Sequence, residues 1–548
     1  MSPDDATTRW RKANPYIAKA PPRATEDGAT IEPLYTSEHL TTLDYERDLG
    51  FPGEAPFTRH AYAAGYLGRN WQMRLYSGFG SAEDTNRRWK FLLASGNDGV
   101  SAAFDLPTQL GIDSDDPSIR AEIGRVGVAV DTLEDFRILF EGIPIERVPV
   151  SMNIVDAGII MIAMLSVLTE ERGVPLDSLS GSLSNDHLTE YAARGTWHYP
   201  PAHSLRLQAN VSTYCVRRMP KFYPMNVRGI LVHESSATPA QEVGIVFANA
   251  LKYIDTALEQ GATIDEIGPR VSFFFGAGTR IFETAAKFRA ARRLWHRLVT
   301  ERYAPTSRSA SVLRFTSTFG GHWYRTKASE INLVRAGYGV LGCVLGGTQG
   351  MILGGYDEAY ALPTERTARL ALMTQQICAE ETDVTSTIDP LAGSYFVESL
   401  TDDLERRIRD VMADVEANGG AVGAVESGYI QAMLADRAYR VKREEDEGTR
   451  VVVGVNKYRV DQPDPPLETH RLDDETVKRQ IERVRRVKAA RDPKVTADAL
   501  AALETAARDP SVNLVVPLMD CVRAMATVGE MIQTMERVFG QFKEPAAI

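Results

Sequence analysis

Short apolar runs, many rich in β-branched or aromatic residues and bounded by Gly, Pro, Asn or Ser, recur along the middle of the chain, a pattern typical of strands. They lie at 72–77, 99–104, 148–153, 179–184, 228–233, 270–275, 311–316 and 341–345. Helical patterns separate most of them, with examples at 131–140, 157–172, 239–260 and 280–301. Eight strands alternating with helices predict an α/β protein with a (β/α)8, or TIM, barrel, and a doubly wound open sheet is the alternative.

The segment 74–117 shows the repeating unit most clearly. A strand-like run ends in a glycine-containing turn, and Ser81 followed three residues later by Asp84 has the spacing of a helix N-cap with a capping box. Ser95, Gly96 and Asn97 then end the helix before the next strand. This strand–loop–helix–strand order is typical of a parallel sheet.

The two ends of the chain follow other patterns. Residues 1–45 are rich in Pro, Thr and charge and predict an extended N-terminal arm, which is either a disordered tail or a segment that wraps a partner. After residue 395 charged helical patterns dominate, at 400–418, 474–490 and 513–539, with a short apolar strand at 451–455 and prolines at 463, 465 and 466. The predicted organisation is an arm (1–45), a barrel (46–395) and a mainly helical C-terminal region (396–548).

Composition and charge narrow the function classes. A hydrophobic content of 44% and a charged content of 25% are ordinary for a soluble globular protein, and a net charge of −11 argues against a nucleic-acid binder. The four cysteines are far apart without a CxxC pair, which favours a reducing, cytoplasmic location. We see no secretory signal, and the most apolar run, 157–168, is too short to span a bilayer.

Common catalytic motifs do not identify a reaction. The sequence has no P-loop, HExxH or GxSxG motif, and the nine histidines form no helical metal pair, so no metal site is predicted. In a barrel the chemistry lies at the C-terminal ends of the strands. Those predicted ends carry Tyr76, Asp105, Asn153, Ser184, His233, Phe275, Thr316 and Gln349. The reaction class stays open at this point.

Several longer motifs resemble the adenosylcobalamin-dependent acyl-CoA mutases, which include methylmalonyl-CoA mutase, isobutyryl-CoA mutase and 2-hydroxyisobutyryl-CoA mutase. They are YSGFG at 76–80, FDLPT at 104–108, GIDSD at 111–115, PRVSFF at 269–274, AKFRAARRLW at 286–295, TQ at 348–349, DEA at 357–359, IDPLAGS at 388–394, GVNKY at 454–458 and AMATVGE at 524–530. The resemblance covers nearly the whole chain after residue 55.

The resemblance implies a barrel that takes coenzyme A along its axis, with cobalamin capping the C-terminal mouth and a radical 1,2-rearrangement of the acyl group. The family's cobalamin domain carries an Asp-x-His-x-x-Gly motif whose histidine ligates cobalt, and this sequence has no such motif. It therefore resembles a large, substrate-binding subunit. The implied partner is a small cobalamin-binding subunit that ligates cobalt, within a heterotetramer built on a homodimer of large subunits.

Two matching positions bear on the substrate. Tyr76 occupies the position that discriminates substrates, where tyrosine is the methylmalonyl-type residue, and Arg194 occupies the position that pairs with a free carboxylate. Ala103 stands where the 2-hydroxyisobutyryl enzymes have an aspartate. These residues favour a methylmalonyl/succinyl-like or larger dicarboxylic substrate, and the alternative for Arg194 is that it only braces a barrel loop. The alternatives are an isobutyryl/butyryl or 2-hydroxyisobutyryl type of mutase and a catalytically silent subunit.

Other matches imply where the cofactors bind. Tyr62, Arg69 and Arg270 match positions along the coenzyme A path, and guanidinium groups suit phosphates. Gln349 and Glu358 match positions near the adenosyl ribose. Gly78, Ala103 and Ser272 are the remaining expected cofactor contacts.

Some expected polar groups are missing. The histidine that donates to the thioester carbonyl is replaced by Leu231, the glutamine before Asn-Asp by Ser184, and a histidine and a glutamine on strand seven by Thr316 and Thr318. Loss of one such donor typically costs about 3–4 kcal/mol of transition-state stabilisation. If 228–233 is a strand, His233 shares a face with Leu231 about 6.6 Å further along. We therefore predict that His233, with Ser184, contacts a displaced carbonyl, and the alternative is a histidine whose hydrogen bonds are satisfied by a loop.

Overall fold

The fold is described from a computed structural model, and the description covers residues 3–15, 17, 21–459 and 472–544. A two-stranded hairpin near the N-terminus precedes a set of parallel strands. The strands are β1 (Arg23–Ala24), β2 (Thr30–Ile31), β3 (Gln72–Arg74), β4 (Val100–Ala103), β5 (Val150–Asn153), β6 (Ser180–Ser184), β7 (Lys221–Tyr223), β8 (Met225–Val227), β9 (Val271–Gly276), β10 (Phe315–Phe319) and β11 (Gly350–Leu353).

The strands from β3 to β11 close into a ring of eight parallel strand positions. Two sheets, β4-β5-β6-β7 and β8-β9-β10-β11-β3, make up the ring. Only Pro224 separates β7, which pairs with β6, from β8, which pairs with β9, so these two short strands act as one. On the other side, Ser77 N–H donates to Ser101 O at 3.2 Å and Ala103 N–H donates to Ser77 O at 3.1 Å, joining the end of β3 to β4. The predicted (β/α)8 architecture is confirmed.

Helices surround the strands and fill the connections between them. Those before residue 390 are α1 (Pro3–Ala13), α2 (Gly65–Gly68), α3 (Ala82–Ala94), α4 (Leu106–Gln109), α5 (Leu133–Leu139), α6 (Gly158–Glu171), α7 (His187–Ala193), α8 (Pro201–Arg218), α9 (Gly229–Glu234), α10 (Pro239–Glu259), α11 (Ile264–Ile267), α12 (Ile281–Tyr303), α13 (Ile331–Leu345) and α14 (Glu365–Glu380). The Ser81–Asp84 capping box predicted from the sequence begins α3.

The C-terminal region is helical, as predicted. Its helices are α15 (Tyr395–Ala417), α16 (Gly420–Glu426), α17 (Tyr429–Asp446), α18 (Asp474–Ala490), α19 (Pro493–Arg508), α20 (Val515–Arg523) and α21 (Val528–Phe539). The apolar run at 451–455 makes only one bridge, between Val453 and Lys457, and is not a strand. The three clustered prolines lie outside the described residues. Within the described part of the chain, no helix is both long and apolar enough to cross a membrane.

The N-terminal segment differs from the expected extended arm. It begins with helix α1 and contains the β1–β2 hairpin. Glu26, within this segment, accepts hydrogen bonds from Arg437 Nη2 at 2.7 Å and Arg450 Nη1 at 2.9 Å. The part of the arm around the hairpin is therefore held against the chain's own C-terminal region.

Two of the eight strand predictions are wrong. Residues 229–234 form α9, and the strand there comes earlier, at β7 and β8. Residues 341–345 lie inside α13, and the last barrel strand is β11. In both places a short apolar run predicts a buried strand but forms a helix. In α13, Val340, Cys343 and Val344 instead form the buried face of a helix, which periodicity alone does not separate from a strand over so few residues.

Candidate active site

The inside of the barrel is lined by small polar side chains. Along each strand, alternate residues such as Val150, Met152 and Phe273 point outward into the hydrophobic core beneath the helices. The residues of opposite parity face the lumen and include Ser101, Ser151, Ser182, Ser184, Asn226 and Ser272. Barrels of this class usually fill their interior with Val, Ile and Leu. Serines at these positions are smaller than those residues and place hydroxyl groups along the axis.

These lumen side chains are linked by hydrogen bonds. Ser184 Oγ donates to Asn226 Oδ1 at 2.8 Å, and Asn226 Nδ2 donates to Ser272 Oγ at 2.9 Å. On the adjacent wall, Arg74 Nη1 donates to Ser151 Oγ at 2.6 Å, and the Arg74 Nε–H is buried with no hydrogen-bond partner among the described residues. Ser184 and Ser272, predicted from the sequence, therefore share one network with Asn226, which was not predicted.

A cavity of about 1490 Å³ opens at the C-terminal ends of the strands. Its polar lining includes Tyr76, Arg194, Arg228, Glu234 and Glu358. Its apolar lining includes Leu75, Ile230, Leu231, Phe274 and Ile352. The structure thus brings together Tyr76, Arg194 and Glu358, which lie in three separate parts of the sequence.

Two guanidinium groups in this cavity share one carboxylate. Arg194 Nη1 donates to Glu190 Oε1 at 3.2 Å, and Arg228 Nη2 donates to the same oxygen. The other Glu190 oxygen accepts from Thr196 Oγ1 at 2.6 Å. Burial alone would raise the pKa of Glu190, but Arg228 and Arg194 outweigh burial and lower it. The carboxylate is therefore ionised, and two positive charges face one negative charge.

Tyr76 lies next to this pair and is 42% exposed, into the cavity. Desolvation of its hydroxyl group raises the pKa of Tyr76, although the charges of Arg194 and Arg228 act in the opposite direction. The phenol therefore stays protonated at neutral pH and is able to donate a hydrogen bond. Gly78, two residues on, packs against β4, since a Cβ there would lie 2.2 Å from Ala103 O.

A second cationic cluster lies at the opposite, N-terminal end of the barrel. Arg69, Arg270 and Arg314 directly precede strands β3, β9 and β10 or lie within three residues of them. The Arg270 guanidinium stacks over the Tyr223 ring at 5.4 Å. Burial raises the pKa of Tyr62, and the charges of Arg314 and Arg69 near its hydroxyl oppose that rise. The predicted residues Tyr62, Arg69 and Arg270 thus lie together, and Arg314 joins them.

Comparison with known proteins decides the family. Residues 24–541 match the family described as methylmalonyl-CoA mutase. The chain belongs to the methylmalonyl-CoA mutase family. It is 38% identical over 533 residues to the 2-hydroxyisobutanoyl-CoA mutase large subunit of Aquincola tertiaricarbonis, which covers 96% of this chain and 95% of that protein. It is 40% identical to methylmalonyl-CoA mutase of Rhizobium meliloti, over 94% of this chain and 72% of that protein. It is 38% identical to the mitochondrial methylmalonyl-CoA mutase of Homo sapiens, over 95% of this chain and 69% of that protein.

Gln349 lies away from Glu358 in this member of the methylmalonyl-CoA mutase family. It directly precedes β11, and its side chain donates to Gly347 O at 2.7 Å and accepts from Phe315 N–H at 2.8 Å. The expectation that Gln349 ends a strand at the C-terminal face is wrong, because the strand predicted before it is helix α13. Its amide satisfies backbone groups at the N-terminal end of the barrel.

His233 also differs from the expectation for this mutase-family chain. It lies on α9, so it does not share a strand face with Leu231. Its Nε2 accepts from Trp323 Nε1 at 3.0 Å, and its Nδ1 lies 3.4 Å from Glu242 Oε2. Helical spacing turns His233 into the packing between α9 and α10, whereas Leu231 lines the cavity. His233 is buried and held by its neighbours, so the strand placement that led to the predicted carbonyl contact is wrong.

A pair of carboxylates lies at the cavity wall beside two glycines. Glu234 Oε2 accepts from His322 N–H at 2.7 Å, and a Cβ at Gly321 would lie 2.0 Å from that same oxygen. A Cβ at Gly354 would lie 1.6 Å from Glu358 Oε2. Burial, together with the Glu234 charge, raises the pKa of Glu358 to about 7. Glu358 therefore changes its charge within the physiological pH range.

Glu358→Gln is expected to make the protein more resistant to heat at pH 8 than wild type, with a smaller gain at pH 5. A carboxyl whose pKa is raised in the folded state from 4.5 to about 7 lowers stability as pH rises through that interval, because the unfolded chain ionises first. Below pH 4.5 both states are protonated and the contribution is absent. The Tm of both proteins measured at pH 5 and pH 8 checks this. An equal difference at the two pH values would contradict the raised pKa.

Proposed function

We propose that this chain is the large subunit of an adenosylcobalamin-dependent acyl-CoA mutase that rearranges the carbon skeleton of a dicarboxylic acyl-CoA. The observation that carries the proposal is the polar barrel axis, with arginines at its N-terminal end and the Tyr76–Arg194 cavity at its C-terminal end. Membership of the methylmalonyl-CoA mutase family supports the reaction class. The favoured substrates are methylmalonyl-CoA, succinyl-CoA or a larger homologue.

The groups along the barrel axis match the chemical parts of coenzyme A. The arginines near Tyr62 and Tyr223 provide guanidinium groups for phosphates, and the two tyrosines provide aromatic faces for the adenine ring. The lumen serines and Asn226 offer hydrogen bonds to the amides of the pantetheine arm. Ala103, which pairs with the cavity residue Asn153, carries only a methyl group. The thioester would then emerge in the cavity beside Tyr76.

The acyl group meets a cation there. An Arg–carboxylate contact in a site shielded from water is strong and specific in geometry. Arg194, with a third of its side chain exposed to the cavity, is placed to bind the second carboxylate of a dicarboxylic acyl group. The Tyr76 hydroxyl is a neighbouring donor. Leu231 and Thr318 line the same cavity, so the side that faces the reacting carbons is mainly apolar.

The cavity also fits the adenosyl group of the cofactor. Gly320, Gly321 and Gly354 carry no side chain that would collide with the two carboxylates, and Glu358 is able to accept hydrogen bonds from ribose hydroxyls. Adenosylcobalamin, when bound, supplies radical initiation. The role of this chain is to position the acyl group and exclude water. Gln349 is too engaged with backbone groups to share that site.

A separate small subunit is part of the proposal. The relative named 2-hydroxyisobutanoyl-CoA mutase large subunit matches this chain over 95% of its length. We infer that a small cobalamin-binding subunit supplies the cobalt ligand, and that two large and two small subunits form a heterotetramer. The four cysteines are free and buried, which supports a cytoplasmic location.

The same relative supports a second candidate, a 2-hydroxyisobutyryl- or isobutyryl-type mutase. Ala103 argues against the hydroxyacyl substrate because a methyl group does not bind a hydroxyl group. The guanidinium groups in the cavity argue against both monocarboxylic types. Glu190 balances only one of their two positive charges, and the other would lose its solvation against an alkyl group without compensation.

Turnover of a substrate panel tests the proposal. The chain, combined with a cobalamin-binding small subunit and adenosylcobalamin, is incubated with methylmalonyl-, succinyl-, isobutyryl- and 2-hydroxyisobutyryl-CoA, and the acyl products are separated by chromatography and identified by mass. We expect isomerisation of a dicarboxylic ester. Turnover of only the monocarboxylic esters would select the second candidate, and a complex without any turnover would indicate a silent subunit.

A further inference from the structure

Arg228 has the marks of a ligand-binding group rather than a purely structural one. Only 4% of its side chain is exposed, yet it lines the large cavity. Its Nη2 donates to Glu190, but its Nε–H is buried without a hydrogen-bond partner among the described residues. Buried charged donors are normally satisfied, so the unpartnered Nε–H on a side chain that lines the cavity favours a ligand-binding role.

The local charge balance leads to the same conclusion. Arg194 and Arg228 are two cations that share one carboxylate, that of Glu190. The other carboxylate near Arg228, Asp186, is occupied by the Arg228 backbone N–H at 2.7 Å, the Tyr253 hydroxyl at 2.6 Å and Thr189. An anion at this part of the cavity would complete the pairing of both guanidiniums.

The backbone of Arg228 is held in place by its neighbours. Arg228 is the N-cap of α9, directly after strand β8, and its backbone N–H donates to Asp186 at the start of α7. Arg194 ends α7. The two guanidiniums therefore approach the cavity from two adjacent barrel segments and are held by the same helix. Side chains held in this way bind a ligand with little further loss of conformational freedom.

We propose that Arg228 and Arg194 together bind the second carboxylate of the acyl-CoA, so that this site recognises a dicarboxylic acyl group through two cations. The inference rests on the proposed function and deepens it. It also accounts for the apolar Leu231 at the thioester end. Polar recognition shifts from the thioester carbonyl to the distal carboxylate, and the walls formed by Ile230, Leu231 and Phe274 contact the carbon chain.

Binding of two matched esters to the large subunit alone tests this inference without turnover. Succinyl-CoA and butyryl-CoA have equal chain lengths and differ in a terminal carboxylate or methyl group. We expect wild type to prefer succinyl-CoA in calorimetric titration. Arg228→Gln should reduce the preference for succinyl-CoA over butyryl-CoA by at least ~10-fold. The loss should come from weaker binding of succinyl-CoA, since a desolvated cation that pairs with a ligand charge contributes strongly to affinity. Arg228→Lys should retain part of the preference.

A second variant separates binding from folding. Arg228→Gln with Glu190→Gln removes one charge of each sign and leaves no buried carboxylate unpaired, and it should show the same loss of preference. An unchanged affinity ratio in both variants, or equal weakening of both esters, would overturn the role of Arg228 while leaving the proposed function standing. Failure of wild type to bind either ester would overturn the proposed function and this inference together.

Discussion

Arg289→Met is expected to lower the free energy of unfolding by about 3–5 kcal/mol, because buried Glu398 loses its cation and buried Asp389 keeps only a contact of 3.4 Å with Arg59. Arg289 is fully buried on α12 and donates from Nη2 to Glu398 Oε1 at 2.5 Å and from Nη1 to Asp389. Burial alone would lower the pKa of Arg289, but Asp389 and Glu398 outweigh it and raise that pKa. The residue therefore ties a barrel helix to the loop before α15 and to α15 itself.

Equilibrium unfolding in urea, followed by circular dichroism, measures this effect. Arg440→Met is the matched control, since Arg440 pairs with Asp436 at 2.7 Å on the surface of α17, with about half of each side chain or more exposed. Exposed pairs of this kind contribute about 0–1 kcal/mol. Similar losses in the two variants would show that the buried network around Arg289 does not hold the barrel to the C-terminal region.

Arg194→Gln is expected to lower kcat/KM for a dicarboxylic acyl-CoA by roughly 30- to 1000-fold. A desolvated cation that pairs with a ligand carboxylate is worth about 2–4 kcal/mol, and each 1.4 kcal/mol is a factor of ten. The glutamine retains hydrogen bonding and volume but not the charge. Steady-state kinetics of the complex with the small subunit and adenosylcobalamin measure the loss.

Arg217→Gln provides the control for this second prediction, because Arg217 lies outside the cavity and is half-exposed on α8. We expect it to change kcat/KM less than about threefold. If Arg194→Gln behaved like the control, the second carboxylate would be bound elsewhere or the substrate would lack one.

The sequence predicted those features that depend on neighbouring residues. The capping box at Ser81 and Asp84 is a local pattern, and the structure confirms it at the start of α3. The charged helix at 474–490 was predicted with the bounds that α18 has. Acidic residues lie in its first turn and a basic residue lies in its last turn, so local charges indicate where the helix begins and ends.

Contacts between residues far apart in the sequence could not be predicted from local patterns. The Arg228–Glu190 contact joins residues 38 positions apart, and a single arginine after an apolar strand has no local mark that separates it from a surface cation. The error at 229–234 had a further consequence. Placing His233 on a strand suggested a lumen position, whereas the helical turn directs it to Trp323 and Glu242. Side chains repeat every 2 residues along a strand and every 3.6 residues along a helix, so the same residue lies on a different face in the two structures.

The structure of the large subunit with bound succinyl-CoA tests most directly whether the barrel axis takes an acyl-CoA. The account predicts electron density from the arginines beside Tyr62 and Tyr223, past Ser184 and Ser272, to a succinyl carboxylate within hydrogen-bond distance of Arg194. Density at another surface, or an axis that stays closed with Tyr76 and Arg194 away from the ligand, would contradict it.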